Sequence, residues 1–334
     1  MNAVTRFLLI GFSSALLISC GGGGGDGAAP AVSVNQAELT SQNAPIIAAA
    51  VVQTTLEGGG LGSFAGVGSG TGGILRDPDS QLFAKLGEIQ KSQTESLRQK
   101  AQIGALQDTI PPETTACLIS GSVTVSGQVS NPLTLSPNDT FTLAFSACDD
   151  GAGVVSGSYA MQITSFNGDL LSGAFSFAVT VTLSGFQITD AGETMTANCS
   201  LSVSLDATAA PTLAVSMTST SLTVSDGGST QTLTNFSMTQ TVDDLTSAYT
   251  MTVSGALTSS AFTGRVTFTT VASLQSDGVG YAFSGELTIS CAGNASVDVI
   301  VLDNVLVRLD IDLNGDGVTD EFVDTTWDEL IAQT

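Results

Sequence analysis

From about Thr115 to the end of the chain, apolar residues fall on every second position, and this alternation restricts the fold more than any other feature. Phe175, Phe177, Val179, Val181 and Leu183 form one such set; Leu201, Val203 and Leu205, then Leu213, Val215 and Met217, and later Val305, Val307, Leu309 and Ile311 form others. A strand turns successive side chains to opposite faces, so period two places each set on one face and the intervening Ser and Thr on the other. About ten such runs are separated by Gly, Asp and Asn turns, with no helical pattern between them. Asp150-Gly151, Asn167-Gly168, Asp226-Gly227 and Asp277-Gly278 suit hairpin turns. The expected class is mainly β, an antiparallel sandwich, roll or barrel-like meander over residues 115–334.

The segment before the alternation is of a different kind. Asn43-Ala44-Pro45 followed by Ile46 to Val52 carries the start signal of a buried helix, expected over 43–57, with Gly58-Gly59-Gly60 stopping it. Residues 58–78 are glycine-rich and read as a linker. Gly68-Ser69-Gly70-Thr71-Gly72-Gly73 satisfies the dinucleotide fingerprint G-x-G-x-x-G, but no strand precedes it and no helix start follows, so a nucleotide site is rejected. Over 79–107 the spacing of Leu82, Leu86, Ile89 and Leu97 predicts an amphipathic helix, which carries Lys85, Lys91, Arg98 and Lys100. Pro111-Pro112 marks the boundary with the β region.

The formal net charge is −23, with eight Lys and Arg and no His. Nucleic acid needs cations for its phosphates, so it is excluded as an expected partner. Charged residues make up only 12% of a chain that is 42% hydrophobic. That is the composition of a folded body with a Ser/Thr-rich surface rather than of an acidic disordered tail. Absence of His removes Ser-His-Asp and Cys-His devices, and neither G-x-S-x-G nor S-x-x-K occurs. A carboxylate pair of the kind that hydrolyses glycosides stays open. One Trp and three Tyr are few for a sugar cleft.

One stretch has the residue types of a metal site: Asp310-Ile311-Asp312-Leu313-Asn314-Gly315-Asp316-Gly317-Val318-Thr319-Asp320-Glu321. Hard oxygen donors recur at every second residue about glycines that permit a sharp turn, which is how a short loop wraps calcium. Read from Asp310, the spacing matches the EF-hand pattern through Glu321. Read from Asp312, it resembles the calcium loops of integrin-type propeller repeats, dockerins and thrombospondin repeats. The alternating Val305-Leu306-Val307-Arg308-Leu309 is a strand and not an entering helix, which favours the second register. The resemblance then implies Asp312, Asn314, Asp316 and Asp320 side chains and the Val318 carbonyl as ligands, with Asp310 and Glu321 as spare donors and the ion in a structural role.

The amino terminus has a single basic residue, Arg6, then the apolar run from Phe7 to Ile18, the layout of a secretory signal over residues 1–19 and too short to span a bilayer. Leu17-Ile18-Ser19-Cys20 resembles the bacterial lipobox, which implies cleavage before Cys20 and lipid on that residue. Gly21 after the cysteine implies an outer-membrane destination, and 20–42 becomes an anchored spacer. The expected membrane contact is through this lipid. Export to an oxidising compartment favours two disulfides among Cys117, Cys148, Cys199 and Cys291. Three pairings are possible; Cys117 with Cys148 and Cys199 with Cys291 closes the shorter loop first and is the expected one. With the Asn43-Ala44 helix, the aspartate loop and the following Thr325-Thr326-Trp327, the whole resembles a group of uncharacterised β-rich bacterial lipoproteins. The functional expectation is a non-catalytic envelope or surface module, stabilised by calcium, for structure, adhesion or a protein or glycan partner. The alternative is a carrier enclosing an apolar ligand among residues such as Phe262, Phe268 and Phe283. Trp327 is expected to plug one end of the sheet.

Overall fold

A computed structural model describes residues 35–60, 109–130, 136–151, 153–169, 174–190, 193–226 and 229–333. The expectations for the signal segment, Cys20, the glycine-rich linker beyond residue 60 and the 79–107 helix lie outside these residues.

Helix α1 (Ala44–Gly60) comes first among the described elements. Asn43 ties down its start: its side-chain oxygen accepts from the Thr40 amide at 2.8 Å and its amide nitrogen donates to the Glu38 carbonyl at 2.9 Å. Ile47 through Val51 are all 0% exposed. Five consecutive residues sample every side of a helix, so α1 is enclosed all round, as its uniformly apolar sequence requires.

Fourteen strands follow: β1 (Thr109–Ala116), β2 (Ser120–Gln128), β3 (Thr140–Asp149), β4 (Val154–Asp169), β5 (Ala174–Asp190), β6 (Glu193–Ala209), β7 (Thr212–Asp226), β8 (Ser229–Asp243), β9 (Tyr249–Ser259), β10 (Arg265–Ser276), β11 (Ser284–Ser290), β12 (Ser296–Val301), β13 (Leu306–Asp312) and β14 (Glu321–Thr326). They form one sheet in strict chain order, each neighbour antiparallel. The expected mainly β, antiparallel meander is what the chain adopts, with more strands than the alternation alone counts. A short helix α2 (Trp327–Ile331) closes the chain, held by a capping box between Thr326 and Glu329.

The alternating sets lie on the buried face. Val179, Val181, Leu183, Leu201, Val203, Leu205, Val215 and Met217 are each 4% exposed or less. Hydroxyls of the opposite face pair between neighbouring strands: Ser204 with Ser216 at 2.7 Å, Thr223 with Thr232 at 2.9 Å and Thr239 with Thr252 at 2.7 Å. A transmembrane barrel has the reverse arrangement, with its apolar residues outward.

A line of bulges creases the sheet. In β3, β5 and β8 the buried residues change phase, from Leu143 and Phe145 to Cys148, from Leu183 to Phe186, and from Leu233 to Phe236. At each change one extra residue enters the ladder, and a residue of positive φ lies there: Ala147 at 46°, Gly185 at 54° and Asn235 at 51°. Bulges bend a strand and increase its twist, so aligned bulges bend the whole sheet. Glycine opposite makes the approach possible. Gly157, with φ 93°, lies so close to Gly185 that a Cβ would run into the Gly185 carbonyl. The bent sheet then meets α1, whose neighbours are β8, β9, β12, β13 and α2.

Several expectations change. Cys117 and Cys148 form a disulfide, joining the end of β1 to β3, but Cys199 and Cys291 do not join each other and remain buried thiols. Cys199 is on β6 and Cys291 follows β11, five strand positions away in a sheet whose strands lie about 4.8 Å apart. A disulfide needs its Cα atoms within about 7 Å. Asn167-Gly168 is not a turn: both residues pair within β4 and β5, opposite Ser176 and Phe175. Pro111-Pro112 lies inside β1, where the register shifts between Ile110 and Glu113. An edge strand at a bulge tolerates the missing amides. Val305 precedes β13 and is 54% exposed, while Val307, Leu309 and Ile311 are fully buried.

Candidate functional site

The aspartate loop connects β13 to β14, two paired strands, so strand flanks and not EF-hand helices hold it. Asp312 ends β13 and is only 7% exposed. Its Oδ1 accepts from the amides of Gly315 at 2.7 Å and Asn314 at 3.2 Å, and its Oδ2 from Gly317 at 2.8 Å. Burial pushes this carboxyl up, but the amides of Gly317, Gly315, Asn314 and Asp316 outweigh it and hold Asp312 below the usual carboxylate range. Asn314 Oδ1 accepts from the Asp316 amide at 2.9 Å, and Asp316 Oδ1 from Val318 at 2.9 Å. Asp320 closes the loop, its Oδ2 accepting from Leu313 at 2.8 Å while Asn314 Nδ2 donates to Oδ1 at 3.2 Å. Gly315 and Gly317 take φ of 76° and 81°, which side chains rarely adopt.

The structure thus brings Asp312, Asn314, Asp316 and Asp320 into one tight turn with the exposed Val318. The spare donors lie elsewhere. Asp310 is in β13 opposite Asp298 and Phe322, and Glu321 accepts from the Ser41 hydroxyl at 2.9 Å. An all-oxygen donor set on positive-φ glycines fits a hard cation in chemistry. In geometry the loop is satisfied by its own amides. Among the described residues, the set of three potential ligand side chains whose atoms come within 4.8 Å of one another is Cys117, Cys148 and Asp150. Two of those are disulfide sulfurs, which do not serve as thiolate ligands.

Two features went unread in the sequence. Asp298 faces Asp310 directly across β12 and β13, and the Thr288 hydroxyl donates to Asp298 Oδ1 at 2.5 Å. Register between strands, which sequence does not give, creates this carboxylate pair. A shallow polar groove lies at the crease, lined by Ser200, Ser202, Thr218, Ser219, Thr220 and Asn235. Of the phenylalanines named for an enclosed apolar ligand, Phe268 is 3% and Phe262 9% exposed, while Phe283 is 41% exposed. Trp327 is 2% exposed, stacked on Tyr281 with ring centroids 5.5 Å apart.

No protein-family model, curated protein or solved structure matches the chain.

Proposed function

We propose that the protein is a non-catalytic envelope module, exported and lipid-anchored through Cys20 at the outer membrane, whose β body serves structure, adhesion or partner binding. The interior carries this reading. The apolar face of the sheet is filled by its own side chains and, between β8–β9 and β12–β13, by α1. On the outward face, hydroxyls such as those of Ser204 and Ser216, Thr223 and Thr232, and Thr239 and Thr252 pair across neighbouring strands. A carrier would need the space that α1 occupies, so that reading stands second.

Calcium belongs to this proposal as a structural ion. Asp312, Asn314, Asp316 and Asp320 with the Val318 carbonyl would hold it. The ion would neutralise carboxylates that otherwise repel, and would lock β13 to β14. Thermal unfolding with calcium and with chelator tests it: calcium is expected to raise the midpoint, and Asp312→Ala/Asp316→Ala to abolish the rise. Equal midpoints in calcium and chelator would remove the ion from the reading. For the anchor, Cys20→Ser is expected to move the protein from the membrane to the soluble fraction; a variant that stays in the membrane fraction sinks the lipid assignment.

A further inference from the structure

Three successive turns at one end of the sheet share one construction. Between β8 and β9, Asp243 Oδ1 accepts from the amides of Leu245 and Thr246, both at 2.9 Å. Between β10 and β11, Asp277 Oδ1 accepts from Val279 at 3.0 Å. Between β12 and β13, Asp303 Oδ1 accepts from Val305 at 2.8 Å and Leu306 at 2.7 Å. Each aspartate closes its own turn. The residue two positions on is aliphatic and thrown outward: Leu245 is 81%, Val279 72% and Val305 54% exposed.

The turns adjoin. A Cβ on Gly278 would meet the Thr246 carbonyl oxygen, so the first two touch. Tyr281, in the second, stacks on Trp327, whose amide donates to the Val305 carbonyl of the third at 3.0 Å. Phe283, Leu302 and Leu306, each over 40% exposed, extend the same rim. Three aliphatics held out by adjoining tight turns expose apolar surface at one end of the sheet, and a cluster of that kind on a folded protein marks an interaction site. Asp243, Asp244, Asp277 and Asp303 lie in the same three turns, and Asp328 accepts from the Tyr281 hydroxyl at 2.8 Å. The amides of Thr246 and Leu245 keep Asp243 below the usual carboxylate range, and those of Leu306 and Val305 do the same for Asp303. The nearby cation Arg308 is engaged by Asp324 at 2.7 Å.

We propose that this end of the sheet docks a protein partner whose contact surface is apolar at its centre and ringed by Lys or Arg. The proposal rests on the binding-module reading above and gives it a surface. Charge selects the occupant. A lipid surface would desolvate or repel the carboxylates, and a second copy would bring the same carboxylates face to face.

The test titrates the protein with a synthetic amphipathic helix made only of Leu and Lys, and with its Leu/Glu counterpart, at physiological ionic strength. The Leu/Lys helix is expected to bind and the Leu/Glu helix not to. Leu245→Ser/Val279→Ser/Val305→Ser, which leaves every carboxylate, should weaken binding roughly tenfold or more. Asp243→Asn/Asp277→Asn/Asp303→Asn, which can still close the turns, should weaken it by a similar factor. Circular dichroism checks that both variants fold. Unchanged binding by the serine variant means charge attraction alone and overturns the proposal. So do serine-sensitive capture by phosphatidylcholine vesicles and self-association abolished by the serine changes. Release of Cys20→Ser from membranes is read separately: if it persists while the helix fails to bind, the surface falls and the anchored module stands.

Discussion

Asp312 shows how much one side chain can hold. Three amides converge on its carboxylate, those of Asn314, Gly315 and Gly317, so the turn between β13 and β14 is built about this group with or without an ion. Removing it orphans those donors. Asp312→Ala is expected to lower the thermal midpoint even in chelator, which separates the turn's own stability from calcium. The pH dependence has a definite sign. The folded carboxyl lies below its unfolded value of about 3.9, so its stabilisation is complete above that pH and is lost as pH falls through the folded value. The midpoint difference between the protein and Asp312→Ala in chelator should therefore be flat near neutrality and shrink as pH drops below about 4; a difference that grows on acidification contradicts the assignment. The cysteines give a second test. Denatured without reductant, two of Cys117, Cys148, Cys199 and Cys291 should alkylate, and all four after reduction. In the native state burial pushes the Cys291 thiol up to about 11, so it should label slowly.

At the scale of strands, the crease is the decisive feature. Ala147, Gly185 and Asn235 each insert one residue, and each reverses which positions face the core. Gly157 meets the Gly185 carbonyl at close range, whereas Gly280, of similar φ at 82°, has nothing within 4 Å of its would-be Cβ. Gly280→Ala should cost about 1 kcal/mol for the backbone alone. Gly157→Ala adds a backbone clash and should cost about 3 kcal/mol or more in denaturant unfolding. Similar losses for the two would mean that the strands do not approach here as described. The disulfide stabilises at this scale too. It links residues 31 apart, a loop worth about 3–4 kcal/mol in the chain-entropy account, and Cys117→Ser/Cys148→Ser should lose an amount of that order.

For the molecule as a whole, α1 is the buried helix of the core, packed on β8, β9, β12 and β13. One helix thus ties together strands four positions apart in the sheet. Ile47 is 0% exposed at the start of this helix, so Ile47→Ala should cost about 2–4 kcal/mol, read as a fall in the denaturant midpoint. A loss below about 1 kcal/mol would show that α1 is dispensable to the fold.

The sequence alone determined the class of fold and which residues look inward, because pleating gives a strand a fixed period of two and burial selects the apolar half of it. It determined α1 from Asn43, Pro45 and an apolar run with no polar face, and the loop from Asp312 to Asp320 from donors alternating about glycine. Local chemistry sufficed in each case. By its alternation the sequence counted about ten runs where the sheet has fourteen strands, and it did not show that β5 continues past the bulge at Gly185, where the inward phase changes. It placed a turn at Asn167-Gly168, where tertiary pairing needs glycine for a close approach instead. Pairing of Cys199, the facing of Asp298 with Asp310, and the gathering of Leu245, Val279 and Val305 at one end were decided only by the tertiary structure. Each depends on strand order and register, which are set by contacts between residues far apart in the chain.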